Sequence, residues 1–171
     1  MEVGVRGSEA HAVFTGLRSV EDVLRAYHAL ARRPDVKNVL VQPMVKDGVE
    51  MFVGATLDPT FGHIVLCGSG GTMVELLHDT SCRLAPITDR AAREMIDETR
   101  GSALLRGFRG SQPADEAGFR DVLLRTSALV NACPEIAELD LNPVIVTAAG
   151  AVVVDARIRV AAAHGSSHAA A

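Results

Sequence analysis

The sequence predicts an α+β fold, a mainly antiparallel sheet with helices packed on one face. Three observations point there. β-branched, apolar runs follow one another through connections such as Asp58-Pro59-Thr60-Phe61-Gly62, which are too short for a crossover helix and so pair strands antiparallel. Two helical patterns, Asp89 to Thr99 and Asp115 to Ala132, stand together instead of alternating singly with strands, so the order of a doubly wound parallel sheet is missing. A chain of 171 residues with 48% hydrophobic content is long enough to bury one proper core, and one domain is the default organisation.

Taken in order, residues 1–9 are polar and contain glycine, and residues 161–171 are small and low in complexity. Both ends are expected to fray, as a flexible N-terminus and a disordered tail around a domain spanning 10–160. His11 to Leu17 reads as a short strand. Ser19 then caps a helix, with Asp22 at its third position as an acidic variant of the capping box. Val20, Val23, Leu24, Tyr27 and Leu30 form the apolar face of this helix, and Pro34 ends it. Asn38 to Val45 is a strand, and Lys46-Asp47-Gly48 is the turn of a hairpin into Val49 to Leu57. After the turn at Asp58 to Gly62, His63 to Cys67 makes a third strand of this meander and runs into Gly68-Ser69-Gly70-Gly71. Thr88 and Asp115 cap the two helices that follow. The first turns Ala92, Met95 and Ile96 inward, and the second Phe119, Val122, Leu123, Thr126 and Leu129; Gly101 and Pro134 close them. Two final strands, Glu138 to Val146 and Val152 to Arg157, face each other across Ala148-Ala149-Gly150.

Composition excludes several functions. A net charge of -4 offers no basic field to nucleic acid. No apolar run approaches the roughly 20 residues of a membrane span, and Met1 to Arg6 lacks a signal-peptide core. A cytoplasmic location is expected. Cys67, Cys82 and Cys133 are odd in number and have no CxxC spacing, which suggests neither a disulfide framework nor a zinc cluster. Lys37 and Lys46 are the only lysines, so phosphate contacts would fall mostly to arginine.

The chemistry concentrates in the last two strands. If they pair across Ala148-Ala149-Gly150, residues whose numbers total about 297 face each other, and Asn142 lies opposite Asp155 with Asp140 on the same face. Magnesium takes oxygen ligands, usually one or two from protein and the rest from water and phosphates, and this spacing suits it. Strand physics alone favours ordinary polar positions on a half-exposed hairpin, since two acids and an amide are common on such strands. Gly68 to Gly71 reads either as a phosphate nest or as a tight turn. Arg83 and Arg109 are candidates to pair with phosphate or with Glu75 and Asp79. His63 and His78 have no triad partner in sequence and suit surface or core roles.

An ordered series of motifs now adds to this reading. It begins with Gln42-Pro43-Met44-Val45, Gly48-Val49-Glu50, Asp58-Pro59-x-Phe61-Gly62 and Gly68-x-Gly70-Gly71. It continues through Glu75, Asp79, Arg83-Leu84-Ala85-Pro86 and Leu105-x-Gly107-x-Arg109-Gly110 to Glu138-Leu139-Asp140-Leu141-Asn142-Pro143 and Val154-Asp155-Ala156-Arg157. The series resembles the carboxyl-terminal part of the ATP-grasp domain of NDP-forming acyl-CoA synthetases. These are the ADP-forming acetate-CoA ligases, related to succinyl-CoA synthetase beta subunits. The resemblance covers about Ala10 to Val160.

It implies Mg2+ and ATP/ADP as cofactors, with Asn142 and Asp155 as metal ligands and Asp140 beside the phosphoryl-transfer centre. It implies that Gln42, Pro43, Met44 and Val45 flank adenine and that Glu50 lies near the ribose. Pro43 departs from the usual Glu and has no amide to donate, so only its carbonyl can serve. Polar groups at strand ends would account for Gln42 and Glu50 equally well. The activity implied is interconversion of acyl-CoA, ADP and phosphate with acid, ATP and CoA through an acyl phosphate and a phosphohistidine. Its partners would be a CoA-binding/ligase subunit or domains and the missing N-terminal ATP-grasp half, with the small-molecule acid and CoA reached through that assembly. The alternative is a catalytically silent nucleotide-sensing or regulatory/assembly module of the same fold.

Overall fold

Strand alternation and capping side chains build this chain in two compact units, Met1–Lys46 and Asp47–Ala171. The computed structural model describes residues 3–7, 13–70 and 79–161. Gly71, Glu75, His78 and the expected tail from residue 162 onward lie outside the described residues.

The first unit holds a three-stranded antiparallel sheet in the order β2-β1-β3, formed by β1 (Val3–Gly7), β2 (Val13–Leu17) and β3 (Val39–Pro43). Val3–Gly7, expected to belong to a flexible N-terminus, is the middle strand. Its backbone groups find partners on both sides, which its composition alone does not signal. Helix α1 (Val20–Ala31) starts at Ser19 with a complete capping box: the Ser19 side chain accepts from the Asp22 amide at 3.1 Å, and the Asp22 carboxylate accepts from the Ser19 amide. Its buried residues are Ala26 and Leu30, packed with Val23 against Leu17, Val36 and Val39. Val20, Leu24 and Tyr27, assigned to the apolar face from spacing, are exposed. Val23 and Leu30 pack as expected, with the small Ala26 completing a narrower stripe than the spacing suggested.

The second unit is a six-stranded antiparallel sheet with helices. Its strands are β4 (Val49–Asp58), β5 (Gly62–Ser69), β6 (Thr80–Leu84), β7 (Ile136–Thr147), β8 (Gly150–Val153) and β9 (Ala156–Val160), in the order β6-β5-β4-β7-β8 with β9 also on β7. The expected hairpin of Asn38 to Val45 with Val49 to Leu57 does not form. β3 pairs with β1, and β4 pairs with β5 and β7. Asp47 does take the left-handed conformation of a turn residue, φ 58°, but the flanking strands belong to separate sheets. The β4-β5 meander is as expected, and Asp58 closes its turn by accepting from the amides of Thr60 and Phe61 at 2.8 and 2.9 Å.

Helices α2 (Asp89–Asp97), α3 (Gly101–Leu105) and α4 (Glu116–Ala132) follow β6. Thr88 caps α2 and Asp115 caps α4, by accepting from Ala91 and Gly118 amides at 3.2 and 3.0 Å. The core joins Met51, Val53 and Ala55 of β4, Val65 and Cys67 of β5, and Leu139, Val144 and Val146 of β7 to Ala92, Met95, Ile96, Phe119, Leu123 and Val130 of the helices. Leu129, expected inward, is exposed while Val130 is buried. Gly101 opens α3 instead of closing α2. A Cβ there would stand 2.9 Å from the Met51 sulfur, so glycine lets this helix approach β4.

Asp79 fixes that approach. Its carboxylate accepts from the amides of Arg100 and Gly101, at 2.7 and 3.1 Å, and from the Ser69 hydroxyl, occupying donors that a helix start leaves unpaired. Burial of the Asp79 carboxyl raises its pKa, but these hydrogen bonds outweigh that and leave it below the usual carboxylate value. Asp79→Ala should therefore cost about 2 kcal/mol at neutral pH. The carboxylate's contribution is fully present above the unfolded pKa of about 3.9 and is lost as pH falls through the lower folded value. Urea denaturation of both proteins should show the gap constant above about pH 5 and shrinking below it; a gap that stays constant down to about pH 2 would contradict this role.

Candidate functional site

A bulge in β7 shapes the region that the sequence singles out. Met51 faces Val144 and Val53 faces Leu141, so Phe52 alone spans Asn142 and Pro143. Two residues against one is a β-bulge, a place where proline's missing donor is tolerated and where side chains are re-aimed. The parity of the core face changes across it, from Leu139 and Leu141 to Val144 and Val146. The Asn142-Pro143 peptide is cis.

Along the other edge of β7, β8 pairs as far as Val144↔Val153 and β9 resumes at Leu141↔Ala156. Facing numbers total 297 in the whole of the β8 ladder and from Glu138 onward in the β9 ladder. Two facing pairs are left between the two ladders in that one register, Asn142 with Asp155 and Pro143 with Val154. The Val154 amide donates to the Pro143 carbonyl at 3.0 Å across the break. Asp155 sits in the interruption with its side chain 20% exposed, and Asn142 is half-buried.

Asp140 is two residues from Asn142 and lies directly opposite Arg157. The Arg157 Nε stands 3.7 Å from Asp155 Oδ2. Desolvation raises the Asp140 pKa above the ordinary carboxylate range, with the Arg157 charge opposing and the Asp155 charge reinforcing the shift. The two acids and the guanidinium thus share one local field. Sequence reasoning missed Arg157, although the register of 297 already places it across from Asp140.

This donor set has two carboxylates and one amide oxygen. Among the described residues no group of three or more His, Cys, Asp or Glu gathers as a metal site. Such a sparse oxygen set cannot fill an octahedral shell alone, but it fits Mg2+ that keeps water and phosphate oxygens as its remaining ligands.

Other predicted positions resolve differently. Gln42 and Pro43 end β3 in the first unit, opposite Gly4 and Val3, and Met44 and Val45 leave that strand. Glu50 is an exposed residue of β4 in the second unit. It borders a cavity of about 650 Å³ lined also by Val49, Gly70, Arg100, Leu104 and Phe108. The Gly70 amide donates to the Glu50 carbonyl at 2.8 Å and so is engaged within the sheet. A Cβ on Gly68 would come within 2.0 Å of the Asp79 carbonyl oxygen, and one on Gly70 within 2.5 Å of the Met51 oxygen. Close backbone approach accounts for both glycines.

Arg83 pairs with Glu98 of the helical segment and not with Asp79. Arg109 stacks over Phe108, 5.2 Å from the ring centroid. His63 makes a structural contact, its Nε2 lying 2.7 Å from the Ile136 carbonyl.

Comparison with known proteins decides the family. The ATP-grasp domain family matches residues 5–160. The chain belongs to the ATP-grasp family. It is 44% identical over 161 residues to the beta subunit of the ADP-forming acetate–CoA ligase II of Pyrococcus furiosus, covering 88% of this chain and 68% of that subunit. It is 49% identical over 123 residues to the ADP-forming acetate–CoA ligase I of Archaeoglobus fulgidus, covering 72% of this chain and 18% of that one. The chain thus spans about two thirds of the separate subunit and under a fifth of the longer ligase.

A solved structure of the dinucleotide-forming acetyl-coenzyme A synthetase 1 of Ca. Korarchaeum cryptofilum, in complex with coenzyme A and Ca-AMPCP, superposes with a TM-score of 0.85 at 38% identity, over 92% of this chain and 76% of that one. Another structure of that synthetase holds coenzyme A and Mg-AMPPCP, with a phosphohistidine segment pointing towards the nucleotide-binding site. The family membership agrees with the α+β architecture of this ATP-grasp chain and its antiparallel sheets. No helix among the described residues is long and apolar enough to cross a membrane.

Proposed function

We propose that this ATP-grasp chain is the nucleotide- and magnesium-holding piece of an NDP-forming acyl-CoA synthetase. The assembly interconverts acyl-CoA, ADP and phosphate with free acid, ATP and CoA through an acyl phosphate and a phosphohistidine. The observation that carries this reading is the single β7-β8/β9 register, which leaves Asn142 and Asp155 facing one break with Asp140 beside it. Asn142 and Asp155 hold Mg2+, and Asp140 orients the transfer centre. Gln42, Met44, Val45 and the Pro43 carbonyl flank adenine, and Glu50 serves the ribose side. When bound, Mg2+ neutralises charge on the transferring phosphates. The chain's own contribution is to fix ligand positions on paired strands, where backbone hydrogen bonding limits their drift.

The remaining walls would come from a CoA-binding/ligase subunit or domains and from an N-terminal ATP-grasp half. The chain's share of its relatives supports that view. Phosphoryl transfer depends on positioning and charge neutralisation from several sides, so the isolated chain should bind better than it reacts. A cytoplasmic location of the assembly is part of this proposal. Calorimetric titration of ADP into the chain should show tighter binding with Mg2+ than without it, and Asp155→Asn should abolish that difference. ADP binding indifferent to Mg2+ in the native chain would count against the proposal.

A further inference from the structure

We propose that Arg157 is the resident counter-cation of the Asp140 and Asp155 carboxylates, neutralising them when no metal is bound and competing with a divalent cation for them. The inference rests on reading this cluster as the metal site. Arg157 occupies the position directly opposite Asp140 in the β7-β9 ladder, so the two side chains rise from the same face. It follows Asp155 by two residues, and its Nε lies 3.7 Å from Asp155 Oδ2. One guanidinium therefore answers two carboxylates on neighbouring strands.

The character of the contact suits displacement. At 3.7 Å it is beyond hydrogen-bond reach, so the attraction is of charge for charge. The Arg157 side chain is 61% exposed, which keeps the pair weak and gives the guanidinium water to move into. Arginine stays charged at any working pH, so it can leave the acids only by moving. A divalent ion brings twice the charge to the same oxygens, and its arrival sets two cations against each other unless Arg157 swings away. The neighbouring pair differs: Arg159 of β9 donates to Glu138 of β7 at 2.6 Å, a bonded contact across the same ladder with an acid outside the cluster.

The test is Mn2+ binding to the full chain, followed by the loss of the free-ion paramagnetic signal, in the native protein and in Arg157→Gln, Arg157→Lys, Arg159→Gln and Asp155→Asn. Arg157→Gln should bind Mn2+ about three- to tenfold more tightly, the range expected when a nearby exposed like charge is removed. Arg157→Lys should remain close to native, and Arg159→Gln should not reproduce the gain. Unchanged or weaker binding by Arg157→Gln, with binding lost in Asp155→Asn, overturns the role of Arg157 and leaves the metal site standing. An equal gain from Arg159→Gln also overturns it, because net charge would then explain the effect. Native-like binding by Asp155→Asn, or no Mn2+ binding by the native chain at millimolar ion, overturns the metal site and this inference together.

Discussion

Asp155→Asn should lower magnesium-dependent ATP formation from acyl-CoA, ADP and phosphate by about a hundred- to a thousandfold in a complex reconstituted with the partner subunits or domains, equivalent to roughly 3–4 kcal/mol of transition-state stabilisation. The substitution keeps the size of the side chain and one of its oxygens, so strand pairing around it has no reason to change. What it removes is one of the two negative charges in the set, since Asn142 is neutral and Asp140 carries the other. A site that borrows its remaining ligands from water and phosphates has little spare affinity. Asn142→Ala should act in the same direction and less strongly, because it deletes a neutral ligand. The rate of product formation at saturating Mg2+ and at limiting Mg2+ separates a weakened metal site from a damaged complex: weakening is partly rescued by more metal. Full rate in Asp155→Asn would remove the metal assignment and favour the catalytically silent module.

Local rules read well where the determinant lies within a few residues. The capping side chains of Ser19, Thr88 and Asp115 each act on an amide three residues ahead, so their helix starts were legible. The final hairpin was legible for a similar reason: the short turn before Gly150 fixes the register, and the register fixes what faces what. The break between β8 and β9 was not, because it depends on how β7 bulges against Phe52 of β4, a partner about ninety residues away in sequence.

Long-range pairing also explains the other departures. β3 reads as the first arm of a hairpin but spends its hydrogen bonds on β1, and nothing near Lys46-Asp47-Gly48 announces that choice. Asp79 reads as an arginine partner, whereas the helix start it caps lies twenty-one residues further on, at Arg100. Strand β6 was missed because it is a short edge strand of Thr80, Ser81, Cys82, Arg83 and Leu84, whose apolar content is too thin to mark it.

Phe119→Ala should destabilise the protein by about 3–5 kcal/mol, while Leu129→Ala should change stability by no more than about 0.5 kcal/mol. Spacing alone places both residues on the inner face of α4. Phe119 is fully buried in the core cluster, but Leu129 is 40% exposed and its neighbour Val130 takes the buried position. Removing the ring deletes transfer energy and leaves a cavity between α4 and the sheet that fixed backbones can only partly close. Against a total stability of about 5–15 kcal/mol for a domain, that loss is a large fraction. Urea denaturation followed by circular dichroism measures both variants, and a lower midpoint with an unchanged slope would assign the effect to the folded core. α4 lies on β4, β5, β7 and β8, so the helix that Phe119 anchors also backs the strands presenting Asp140 and Asn142. Mn2+ affinity in Phe119→Ala should therefore fall at temperatures where the protein is still folded, whereas Leu129→Ala should bind as the native chain does. Equal effects of the two substitutions would mean that α4 meets the sheet by a different face.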